Sequence, residues 1–193
     1  MEIKNCTVGF AMTGSFCTVP KIMPSLKELV GLGINVIPIA SETLANTDTR
    51  FGKACDLLKE LKEITGNTVI KSMVEAEPIG PQKMLDILVI APCTGNTMSK
   101  IANGITDTCV TMSAKAHLRN GRPVVIGVST NDGLGLTSKN IAILHTARNI
   151  FFVPYGQDDP FNKGTSLICS ADLIVSTVLH ALEGIQIQPL LIT

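Results

Sequence analysis

This 193-residue chain predicts an α/β fold: a doubly wound, mainly parallel sheet with helices on both faces, Rossmann-like or flavodoxin-like. Three observations carry that expectation. Short β-branched runs such as Ile87 to Ala91 and Val124 to Val128 are apolar without in/out alternation, as strands covered on both faces are. Between the runs lie stretches whose apolar residues recur at spacings of three and four, the period of a helix lying on a sheet. The links are short, so β-α units repeat, and such units wind a parallel sheet.

In chain order, strands are expected at Thr7 to Met12, Asn35 to Ala40, Thr68 to Ile70, Ile87 to Ala91, Val124 to Val128 and Ile150 to Val153. The first helix is marked by Val19, Ile22, Met23, Leu26, Leu29 and Val30. Pro20 and Pro24 make its first turn irregular, and Gly31-Leu32-Gly33 ends it as a C-cap. That G-L-G follows a helix rather than a strand, so it is not a dinucleotide loop. A second helix is marked by Phe51, Leu58, Leu61 and Ile64, a third spans Thr97 to Asn103, and a fourth is marked by Val110, Ala114 and Leu118. The last runs through Ile174, Val178, Ala181, Leu182 and Ile185. No internal repeat or low-complexity segment interrupts the pattern. Residues 1–193 therefore read as a single domain with one core, exposing about 9,000 Å² for this mass.

Composition excludes several partners. With 16 basic and 16 acidic side chains and no basic run, the chain lacks the clustered cations that a phosphate backbone requires. Nucleic acid is not expected as a partner. The apolar runs fall short of the ~20 residues that span a bilayer. Met1-Glu2-Ile3-Lys4 leads straight into a strand without the pattern of a secretory leader, so residence is expected in the cytoplasm. The charged fraction of 17% is low against about 25% for soluble proteins. Together with a mean hydropathy of +0.34, it predicts surface covered by other subunits. The six cysteines show no C-x-x-C and no His at zinc spacing; no metal site is expected, and they read as small buried hydrophobes.

Ligands of such folds bind outside the carboxyl ends of the strands, so the strand-to-helix turns hold the candidate site. After the first strand comes Thr13-Gly14-Ser15-Phe16. Gly14 permits close backbone approach, the Ser15 hydroxyl can donate to a phosphate oxygen, and the next helix offers unpaired N–H groups; a plain helix cap is the competing reading. Ser41-Glu42-Thr43 follows the second strand, where hydroxyls could reach a phosphate or polyol or serve as an N-cap. After Ala91 the chain opens into Pro92-Cys93-Thr94-Gly95-Asn96-Thr97, whose uncharged donors and acceptors suit a heterocycle or sugar chain better than a metal.

The run A-P-C-T-G-N-T-M-S-K-I-A-N-G-I-T-D resembles the P-A-S-A-N-T motif of the homo-oligomeric flavin-containing cysteine decarboxylase superfamily, and T-G-S-F-C-T resembles its T-G-S-I-A phosphate turn. Within that superfamily, S-E-T with T-D-T-R-F-G, the segment Glu75-Ala76-Glu77-Pro78-Ile79-Gly80-Pro81, and V-S-T-N-D-G-L are similar to the B-subunit family of the dipicolinate synthases, found in spore-forming bacteria. The resemblance implies an oxidoreductase subunit in the mother cell, oxidising dihydrodipicolinate to dipicolinic acid with a nicotinamide-binding A subunit that carries the NAD(P). It also implies a homo-oligomer and FMN as cofactor. Gly14 and Ser15 would hold the FMN phosphate, Ser41 the phosphate or ribityl chain, and Pro92, Thr94, Asn96 and Thr97 the ribityl and ring edge. The resemblance leaves two further readings open: a non-catalytic scaffold or binding subunit, and a stand-alone FMN-dependent decarboxylase or prenyltransferase relative.

Two departures from the decarboxylase pattern bear on chemistry. The segment before Ile87, where those enzymes place a catalytic His, holds Glu75 and Glu77 and no His. Glu77 is the candidate base for removing a ring proton, with an exposed loop or interface Glu as the alternative. Their P-x-M-N-x-x-M-W clamp is replaced by Gly127 to Leu134, in which Asn131 alone loosely corresponds and is the second catalytic candidate. Lys83, Lys100, Lys115, Arg119 and Arg122 are scattered and suggest no clamp for a dianion, so substrate charge is expected on the partner. His117, His145 and His180 lie in helix-like stretches without a nucleophile pattern. With no Trp, a flavin ring would rest on backbone, aliphatic, Met or Phe groups, on Tyr155, or on a neighbouring protomer.

Overall fold

A computed structural model describes residues 6–192; Met1-Glu2-Ile3-Lys4, read above for a leader, lies outside them. The elements in chain order are β1 (Thr7–Met12), α1 (Val19–Gly31), β2 (Asn35–Ala40), α2 (Glu42–Asn46), α3 (Ala54–Thr65), α4 (Met73–Ala76), β3 (Ile87–Cys93), α5 (Gly95–Ala102), α6 (Cys109–Arg119), β4 (Val124–Thr130), α7 (Ser138–Thr146), β5 (Ile150–Phe152), β6 (Tyr155–Asp159), β7 (Lys163–Cys169) and α8 (Ile174–Leu182). They form a seven-stranded sheet in the order β2-β1-β3-β4-β7-β6, with β5 also pairing β4. Pairing is parallel from β2 through β1 and β3 to β4 and β5. It turns antiparallel where β7 joins β4 and β6 joins β7.

The parallel strands are buried from end to end. All seven residues of β3 and six of the seven in β4 are buried, because helices cover both faces. A continuous apolar cluster runs from β1 and β2 through β3 and β4 to α8. Helix α1 follows the expected stripe: Val19, Ile22, Met23, Leu26 and Leu29 are buried, and Pro20 sits in its first turn. Pro24 lies inside the helix, and its end is capped by the Leu32 N–H on the carbonyl of Glu28 and the Gly33 N–H on that of Val30.

Several expectations need correction. Thr68 to Ile70 is not a strand but a single bridge from Ile70 to Ile39, held by Ile70 N–H to Pro38 O at 2.9 Å and Ala40 N–H to Ile70 O at 2.8 Å. Strands β3 and β4 each run two residues past their expected ends, to Cys93 and Thr130. The helix expected from Thr97 begins at Gly95, and the last helix stops at Leu182, before Ile185. Helices α2 and α7 and the β6–β7 hairpin carry no clear mark in the sequence pattern. The hairpin's turn, Asp159-Pro160-Phe161-Asn162-Lys163-Gly164, holds loop-type residues, and its outer half is exposed, so no apolar run marks it.

Candidate functional site

The carboxyl ends of β1, β3 and β4 open into one cleft of ≈ 930 Å³, walled on its far side by the hairpin. Its construction begins at Thr13, which is buried at 2% exposure. Its hydroxyl donates to the carbonyl of Pro92 at 2.7 Å and accepts from the N–H of Thr94 at 3.0 Å. This staples the turn after β1 to the turn after β3, two segments far apart in sequence.

Beside the staple lies a triangle of hydroxyls. Ser15 Oγ is 2.8 Å from Ser129 Oγ, Thr18 Oγ1 is 2.9 Å from the same atom, and Ser15 donates to Thr18 at 3.1 Å. Ser129 stands there because β4 continues past Val128, and the pairing of Ser129 with Ile168 of β7 holds it in the sheet. Hydroxyls can turn, so each of the three can swing a proton toward an incoming oxyanion while keeping a neighbour as partner.

Opposite the triangle, α5 begins. Thr94 is its N-cap, accepting from Thr97 N–H at 3.3 Å, and the Thr94 and Thr97 hydroxyls lie 3.1 Å apart. Gly95 has no room for a side chain, since a Cβ there would meet Thr130 Oγ1 at 2.7 Å and Thr137 Oγ1 at 3.0 Å. Glycine thus lets the start of α5 lie against the end of β4, with its unpaired N–H groups at the cleft. The floor accordingly combines hydroxyls, amides and a helix start, donors suited to a phosphate with a polar chain attached. A cleft of this size falls within the range of cofactor sites.

The sequence-predicted residues divide into three groups. Gly14, Ser15, Thr94, Asn96 and Asn131 line the cleft. Ser41, Pro92 and Thr97 stand behind it: Ser41 is buried and caps α2 by accepting from Leu44 N–H at 3.3 Å, while Pro92 and Thr97 support the staple and the α5 cap. Glu77 is exposed and starts a 3-10 turn after α4, outside the lining. Glu75 serves the capping box of α4, and the backbone N–H of Lys71 on its carboxylate lowers its pKa.

Thr18, Ser129, Thr130, Asp158 and Lys163 also line the cleft, though sequence reading does not single them out as site residues. Only Thr18, three residues after Ser15 in the same turn, offers a local signal. The cleft aromatics are Phe16 and Phe51. Tyr155 does not contribute: it is buried, its hydroxyl 2.8 Å from His145 Nε2. His145 also stacks on Phe152 at 4.0 Å between ring centroids, and none of the three histidines lines the cleft. Burial raises the thiols of Cys109 and Cys169 to about 12, which keeps them protonated. Among the described residues, no group of three or more His, Cys, Asp or Glu side chains is placed to hold a metal ion, and no helix is long and apolar enough to cross a membrane.

The flavoprotein family model matches residues 1–183. The B subunit of dipicolinate synthase from Bacillus subtilis (strain 168) is 47% identical over 191 residues, covering 99% of this chain and 96% of that protein. The chain belongs to the flavoprotein family, in its group of dipicolinate synthase B subunits. The crystal structure of the dipicolinate synthase B subunit from Bacillus halodurans C is also 47% identical, with a TM-score of 0.91 over 100% of this chain and 99% of that one. Burkholderia xenovorans DmrB, a cubic protein cage for redox transfer solved with FMN, shares the flavoprotein fold at a TM-score of 0.70 and 17% identity, over 93% of this chain and 97% of its own.

Proposed function

We propose that this chain is the B subunit of a dipicolinate synthase, working with a nicotinamide-binding A subunit to oxidise dihydrodipicolinate to dipicolinic acid in the cytoplasm of a sporulating cell. The observation that carries this reading is 47% identity sustained over 99% of the chain to a protein of that name. The reaction removes a hydride, taken by NAD(P) on the A subunit, and a ring proton, leaving an aromatic ring.

The cleft fits FMN. The hydroxyls of Ser15, Thr18 and Ser129, with the backbone at Gly14, would hold its phosphate, and Thr94 and Asn96 would line the polar chain and ring edge. Pro92, Thr97 and Ser41 would fix the turns from behind. When bound, FMN supplies a ring that accepts and returns a hydride. This chain's own residues bind, orient and exclude water; the reading does not require Glu77 to react, and Asn131 would contact the substrate at the cleft rim. A homo-oligomer is part of the same reading, as the low charged fraction and the exposed Leu134, Leu136 and Phe161 suggest.

The test is reconstitution. The A subunit with this chain should form dipicolinate, while an A subunit that reaches full rate alone would sink the reading. A second reading, a scaffold protein that binds no flavin, is favoured by the placement of Glu77 outside the cleft and of all three histidines elsewhere. Absorbance at about 450 nm that stays with the purified protein, together with quenching of added FMN, separates the two.

A further inference from the structure

The cleft presents neutral donors at one end and a different chemistry at the other. Three of its lining side chains carry charge, Asp132, Asp158 and Lys163, and Lys163 is the one cation among them. Asp132 is committed to the start of α7, accepting from Thr137 N–H at 3.2 Å and Thr137 Oγ1 at 3.3 Å. Lys163 Nζ donates to Asp158 Oδ2 at 2.7 Å, which occupies one of its three N–H groups.

The turn that carries this ammonium is itself built. Asp159 accepts from both the backbone N–H and the side-chain amide of Asn162, at 3.0 and 2.9 Å. Thr165 Oγ1 donates to the carbonyl of Asn131 at 2.7 Å, tying the hairpin to the loop after β4. The Lys163 head is thus held at the cleft wall by a carboxylate and a tied turn, so less freedom is lost when an anion arrives. The hydrogen bond and charge of Asp158 also raise its pKa, so the ammonium form persists. Without Lys163, the charged side chains that a doubly anionic acid meets in this cleft would be two carboxylates, which would repel it.

We propose that Lys163, held by Asp158 on the hairpin wall, receives one carboxylate of a small dicarboxylic acid and sets the preference of the cleft for doubly over singly charged ring acids. This specificity rests on the dipicolinate synthase reading above. The neutral hydroxyl end serves the phosphate, and the hairpin end serves the substrate.

The experiment uses the reconstituted two-subunit complex carrying wild-type, Lys163→Met or Lys163→Arg chains, with dipicolinate and picolinate as probes in equilibrium dialysis and FMN uptake followed separately. Loss of one charge-assisted hydrogen bond should weaken dipicolinate by about tenfold or more in Lys163→Met. Picolinate should weaken by about threefold or less and FMN by about twofold or less, since neither depends on that contact. Lys163→Arg should recover most of the dipicolinate affinity. Dipicolinate binding unchanged in Lys163→Met overturns the proposal, as does an equal loss of FMN and dipicolinate, which would assign the lysine to the phosphate. Equal loss of both acids also overturns it. A wild-type complex that binds neither acid removes the functional reading and the proposal together, whereas wild-type binding of both with an unaltered methionine variant removes the lysine's role alone.

Discussion

The parallel strands and the antiparallel hairpin meet at β4 and are held by different forces. In β1, β3 and β4 nearly every side chain is buried, and apolar contact supplies the stability. In β6 Gln157 is exposed and Asp158 and Asp159 half-buried, the first three residues of β7 are exposed, and the turn is held by hydrogen bonds to the Asp159 carboxylate and from the side chains of Thr165 and Gln157. Yet the hairpin contributes two of the three charged groups of the cleft. Stability and charge recognition are thus placed on different parts of one sheet, which allows the second to vary without endangering the first.

The sharpest way to break that contrast is to truncate one aromatic in each part. Phe10 in β1 is 1% exposed and Phe161 at the hairpin tip is 97% exposed. Phe10→Ala should cost about 3–5 kcal/mol in chemical denaturation, from lost transfer energy and the cavity left behind. Phe161→Ala should stay within ~0.5 kcal/mol for the protomer; a large loss that does not depend on protein concentration would mean the hairpin supports the core after all, and one that does would place Phe161 between subunits.

Acid should strike the parallel part next. His117 is buried at the end of α6 with its Nε2 unpartnered, and burial first, then the nearby Arg122 charge, lower its pKa from 6.5 to about 4. Between those values the unfolded chain binds the proton more readily, so stability rises with pH there. It is complete above pH 6.5 and is lost as pH falls toward about 4, a change of roughly 3 kcal/mol. His117→Asn should flatten that part of the stability profile, measured by denaturation across the window.

Thr13→Val tests the seam between structure and site. Removing a buried hydroxyl that donates to Pro92 and accepts from Thr94 leaves the Thr94 N–H unpaired, while the Pro92 carbonyl keeps only the Thr13 N–H at 3.2 Å, at a cost of about 1–3 kcal/mol. FMN uptake should weaken with it, because the two turns lose their registration. Retained uptake would show that the cleft does not depend on the staple.

The parallel strands are legible in the sequence because burial on both faces leaves long apolar runs with nothing else to suggest. Gly14, Ser15, Thr94 and Asn96 are legible for a related reason: each closely follows such a run, where this fold class places ligands. Ser129 and Lys163 are not, because strand pairing and not local spacing brings them to the cleft. Ser129 meets Ser15 across 114 residues. Thr68 to Ile70 misleads for the opposite reason, since a β-branched run beside a parallel edge forms only one bridge.

Thr13 and Pro92 are 79 residues apart in the chain. Contacts of that span form late, because the entropy of closing the intervening loop is lost before any bond rewards it. The floor of the cleft therefore cannot exist in a nascent or half-assembled chain: a ribosome must release both turns, and β1 must find β3, before any ligand has a place to rest. Ligand capture by this protein doubles as a certificate that its longest-range pairing is complete.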